Sequence, residues 1–127
     1  MVYELVVDGK KYPLEMTVEA FLDISELCPE GNFSRLKDLK DLPQRERIEA
    51  SAKILAALSR GAENSQAVKD PHYEPNPITA KQVMALPLEE FMKIYSGMFD
   101  IIRKCSGKPT VETTQKKTGR KIVKESS

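Results

Sequence analysis

One histidine, two cysteines and a few paired carboxylates are the side chains of this 127-residue sequence that could support acid–base or nucleophilic chemistry. His72 lies in Asp70-Pro71-His72-Tyr73-Glu74-Pro75, where its ordinary role is an exposed ring beside proline or tyrosine. Cys28 and Cys105 stand 77 positions apart with no CxxC pair, and a lone histidine supplies too few ligands for a zinc site. They read as two reduced, partly buried thiols, with a disulfide as the alternative. Glu89-Glu90 and the Asp23/Glu26 pair fall at helix-face spacing, where they favour a helix N-terminus or a solvated face. There is no Walker loop, GxGxxG, GxSxG, HExxH or EF-hand loop. The sequence therefore predicts no catalytic residue, no cofactor, no metal ligand and no enzyme.

What remains is binding chemistry. The last helix carries an apolar stripe at helical spacing, Leu88, Phe91, Tyr95, Met98 and Ile102, and Met84, Met92 and Met98 at its edge are flexible and polarizable. These three with Phe91 and Tyr95 form the first candidate partner-binding set. The stripe's ordinary role is packing on the first helices, while its methionine edge suits a surface that accepts varied apolar helices. A second candidate set, Lys116, Lys117, Arg120 and Lys121, lies in a basic C-terminal stretch that suits an acidic or phosphate-bearing partner, or merely aids solubility.

The elements that must position these residues begin with a β-hairpin. Val2, Tyr3, Leu5, Val6 and Val7 favour a strand, Lys11 to Met16 alternates, and Asp8-Gly9 between them tolerates the positive φ angles of a tight turn. Pro13 restricts the second strand to an edge. Thr17 then caps a helix running to about Cys28, and Pro29-Glu30-Gly31 ends it. A short amphipathic piece with Phe33, Leu36 and Leu39 follows. Pro43 opens a second long helix, as its first residue, to Ser59 or beyond, with Glu49 and Lys53 as an i,i+4 pair. From Gly61 to Pro77 the pattern predicts an irregular connection with a short helical continuation around Ala67-Val68. Thr79 caps a short helix, and Leu86-Pro87 opens a last helix of about five turns that ends at Ser106 with Gly107 as its C-cap.

The fold class is thus α+β: a mainly helical small domain with an N-terminal hairpin over 1–107 and a flexible basic tail over 108–127. The tail has six basic and two acidic residues, a charge of +4, while 1–107 has 14 basic and 17 acidic, a charge of −3. With only Val111, Ile122 and Val123 as aliphatics, the tail is expected to be disordered until a partner binds it. No stretch approaches a membrane span, and Met1-Val2-Tyr3-Glu4 lacks the layout of a secretory signal, so a cytoplasmic protein is expected.

The opening Val2-Tyr3-Glu4-Leu5-Val6-Val7-Asp8-Gly9-Lys10-Lys11-Tyr12-Pro13-Leu14, followed directly by a helix, carries a resemblance. So does Ile78-Thr79-Ala80-Lys81-Gln82-Val83-Met84-Ala85-Leu86-Pro87-Leu88-Glu89-Glu90-Phe91-Met92-Lys93-Ile94. In the order of its elements over residues 1–106, the chain resembles the small tail assembly chaperones of long-tailed bacteriophages and of prophages of Gram-positive bacteria. The resemblance implies binding of the long, partly apolar tape measure protein in the host cytoplasm, keeping it soluble while tail tube protein is recruited. It also implies departure before the virion is complete, and in this family a frameshifted product often adds a second domain. Pairing of hairpin edges between copies would give an oligomer. Two other readings compete. A small nucleic-acid-binding regulator would use the basic tail, but the acidic body and the Leu88-Glu89-Glu90 helix start argue against it. A structural phage subunit such as a head–tail connector also fits a small α+β chain.

Overall fold

The computed structural model describes residues 3–106. The predicted tail, its basic residues Lys116, Lys117, Arg120 and Lys121, and the Gly107 cap lie outside the described residues. The fold is α+β, an N-terminal antiparallel hairpin followed by helices. Strands β1 (Tyr3–Val7) and β2 (Lys10–Leu14) pair in the register Leu5↔Tyr12 and Val7↔Lys10. Asp8 and Gly9 take φ of 51° and 77°, the two positive values the tight turn requires. Leu5, Val7, Tyr12 and Leu14 point to the core, and Pro13 sits opposite Glu4 on the other face. A two-stranded ribbon is marginal alone, so these four side chains rest on the helical layer.

Helix α1 (Val18–Leu27) starts at Thr17, whose hydroxyl accepts from the Ala20 N–H at 3.2 Å. Beyond a short 3₁₀ turn at Pro29–Gly31, a longer 3₁₀ segment, Phe33–Asp41, is capped by Asn32 and pressed to α1 by the Phe21–Phe33 ring contact at 4.8 Å. Helix α2 (Gln44–Lys69) is the axis of the molecule, 26 residues long or about 39 Å at 1.5 Å per residue. It buries Ala52, Leu55, Ala56, Ala57 and Leu58 almost completely against the hairpin, α1 and α3 (Ala80–Met84). Helices α4 (Leu88–Tyr95) and α5 (Met98–Cys105) complete the described residues.

Several expectations are corrected. The irregular stretch expected from Gly61 is helical through Lys69, and only 70–79 is a connection. Gly61 and Asn64 weaken the local pattern, but burial of Gly61, Ala62 and Glu63 outweighs their low propensity. Pro43 and Pro87 stand just before their helices rather than as first residues, and their carbonyls accept from Arg47 N and Phe91 N at 2.9 and 3.0 Å. Glu49 pairs with Arg45 at 3.2 Å, not with Lys53. The single last helix is broken at Ser96-Gly97. There the Gly97 N–H donates to Ile94 O at 3.0 Å, the Ser96 hydroxyl to Lys93 O at 3.1 Å, and Gly97 adopts φ −109°, ψ 16°. Ser/Gly pairs are a recognised cause of such kinks. Leu88, expected to pack inward, is 71% exposed.

The segment between β2 and α1 fastens both ends of the fold. Glu15 N–H donates to Leu58 O at 3.1 Å, and Met16 N–H donates to Cys105 O at 2.9 Å, satisfying a carbonyl of the last turn of α5. Both cysteines are free and buried. Burial pushes the Cys105 thiol up to about 12, with nearby Glu15 adding to the rise, and also raises Cys28. The unfolded chain releases the Cys105 proton near the ordinary value of 9.0, while the folded chain keeps it until about 12. Above pH 9 the folded state therefore holds more protons and its stability falls as pH rises, levelling near 12. Urea unfolding at stepped alkaline pH should show this decline, and Cys105→Ala should show a shallower one.

Candidate functional site

The break between α4 and α5 opens a groove of about 320 Å³. Leu36 and Leu39 of the 3₁₀ segment form one wall, and Ala50 and Ile54 of α2 lie along it. Tyr95, Met98, Phe99 and Ile102, around the Ser96-Gly97 turn, form the other. Lys40, Arg47, Ser51 and Asp100 give it polar edges. Tyr95 is braced from behind by Phe91, whose ring lies 5.7 Å away in a stacked arrangement, and Phe99 projects at the lip with half its surface exposed. An uninterrupted helix would not carry the Ser96-Gly97 turn that forms part of this lining.

The five apolar residues singled out in the sequence separate here. Tyr95 and Met98 line the groove. Phe91 is 5% exposed and belongs to the core, so it supports the site without reaching a partner. Met84 and Met92 are exposed at 46% and 43%, but neither lines the groove. Sequence reasoning missed Leu36, Leu39, Arg47, Ala50, Ile54 and Phe99 as a set, because three separate stretches supply them. The one local signal was Ser96-Gly97, a small polar pair inside an apolar periodicity.

A second polar arrangement also went unread. Glu63 is 3% exposed, and its Oε1 accepts from the Tyr73 hydroxyl at 2.7 Å and from the Asn76 N–H at 2.8 Å. Ser59 Oγ accepts from Ile78 N–H at 2.9 Å. These bonds pin the 70–79 connection to α2, and the bond to Glu63 holds the Tyr73 hydroxyl pKa above its ordinary value. Every partner in the cluster is satisfied, which marks it as structural. His72 is exposed, its N–H held by Asp70 Oδ1 at 3.0 Å. Among the described residues no group of three or more His, Cys, Asp or Glu could hold a metal ion.

Comparisons of the chain with family models, curated proteins and solved structures found no match. The groove itself must therefore carry the functional argument. Its walls are mainly apolar, drawn from the 3₁₀ segment, α2 and the start of α5, with Lys40, Arg47, Ser51 and Asp100 as its polar edges. Such a site is suited to burying another apolar surface.

Proposed function

We propose that this protein is a non-catalytic assembly chaperone that shelters an apolar helical segment of another polypeptide in the α4–α5 groove. The resemblance in element order supplies the partner class: the tape measure protein of a phage tail, held soluble in the host cytoplasm while tail tube subunits assemble. The observation that carries the reading is the apolar groove beside the helix break, with half-exposed Phe99 at its lip. An unassembled partner with bare apolar helices is prone to aggregate, and adaptable side chains such as Met98 let one groove accept several of them. Among the described residues no helix is long and apolar enough to cross a membrane, in keeping with a partner met in solution.

Co-expression with the tape measure protein tests the proposal. The partner is expected to be insoluble alone and soluble with this chain. Phe99→Asp should change stability by about 1 kcal/mol or less, since the ring is half exposed and an acidic residue suits the first turn of α5. The same change should return the partner to the pellet. If the partner stays soluble with the variant, the groove is not its binding site.

A further inference from the structure

We infer that the helix received by the groove carries an acidic side chain that pairs with Arg47, an inference that rests on the proposed groove function. Five arginines lie within 3–106, and four of them hold a carboxylate: Arg35 with Glu30 and Asp38, Arg45 with Glu49, Arg60 with Asp23, and Arg103 with Asp100. Arg47 is the exception, and it is the arginine that lines the groove. Its Nε is enclosed with no hydrogen-bond acceptor among the described residues. Its Nη1 reaches only Lys40 O, at 3.4 Å, the long end of hydrogen bonding. A guanidinium keeps its charge at any ordinary pH, and enclosed polar groups are almost always paired in a working structure.

The surrounding charges say what completes it. Lys40 adds a second cation to the groove edge. Asp100, the acid of the lining, is already held by Arg103 and by Lys104, the latter at 3.1 Å. The groove therefore offers unmatched positive charge next to apolar walls, in a body that is otherwise acidic. The chain's own 108–127 segment, at +4, is mismatched in sign to this edge. The occupant that fits is an amphipathic helix of another polypeptide with a glutamate or aspartate beside its apolar seam. A carboxylate matches the planar fork of Arg47 through its N–H groups other than the enclosed Nε.

The test uses a short acetylated, amidated leucine–alanine helix with one central glutamate, and its glutamine twin, each titrated into the full-length chain by fluorescence anisotropy. The glutamate form should bind about tenfold more tightly, the effect of one charge-assisted hydrogen-bonded pair. Arg47→Met should shrink that preference to within about twofold, and Arg47→Lys should keep part of it. Equal affinity of the two peptides for the unaltered chain overturns the carboxylate pairing and leaves the groove function standing. Binding of neither overturns both. Displacement of the probe by a synthetic 108–127 peptide would place the chain's own segment in the groove. A loss of self-association in Phe99→Asp would place a second copy there, and either result overturns the inference.

Discussion

Phe91→Ala should lower the unfolding free energy by about 3–5 kcal/mol, the usual loss for deleting a fully buried ring and leaving its cavity. Phe91 is 5% exposed, lies in the main apolar cluster, and stacks on Tyr95 at 5.7 Å. Domains of this size have about 5–15 kcal/mol in total, so the variant would sit near the edge of folding. The midpoint of urea unfolding measures the effect, with an unchanged slope showing that the comparison is between like states. The same substitution removes the support behind Tyr95, so the folded fraction should also bind partner poorly. Undiminished stability with failed binding would mean that the ring faces the partner and not the core.

Gly61→Ala should destabilise by about 1–3 kcal/mol, although alanine is the better helix former by about 1 kcal/mol. The reason is the closeness of the chain leading into α1. A Cβ at Gly61 would lie 2.6 Å from Thr17 Oγ1, 2.9 Å from the Glu15 carbonyl oxygen and 3.2 Å from Ala20 Cβ. Glu15 cannot retreat easily, because its N–H is bonded to Leu58 of the same helix. Thr17 can move only by giving up its cap on Ala20, a loss of about 0.5–2 kcal/mol. Clash and cap together outweigh the gain in propensity. Gly97→Ala is the control, since the nearest atom to its Cβ would be Ile94 O at an ordinary 3.9 Å. Thermal unfolding should separate the two, with only the Gly61 variant melting early.

Local signals in the sequence carried much of this architecture. Asp8-Gly9 specifies its turn by backbone chemistry alone, and Thr17 and Thr79 announce their helices through side-chain caps, the latter completed by Gln82 Oε1 accepting from its N–H at 2.8 Å. The second half of α2 was illegible for the opposite reason. It is held by distant partners: Glu15, Thr17 and Ala20 closing on Gly61, and Tyr73 and Asn76 converging on Glu63. The break in the last helix was masked because apolar spacing continues across it, from Tyr95 to Met98 and Ile102. The groove was beyond reach because its walls join Leu36, Ile54 and Phe99, residues whose adjacency exists only after folding.

The bond from Met16 to Cys105 and the Lys104 ammonium 5.9 Å from the Tyr3 ring bring the first strand and the final helix side by side. The molecule is accordingly a closed circuit, and its linear order is open to rearrangement. A linker between residues 106 and 3 would join them, and a new opening at Pro71-His72 would precede the anchoring contacts of Tyr73 and Asn76. Such a circular permutant would keep the hairpin and the groove while moving the fusion point for a reporter to the 70–79 connection.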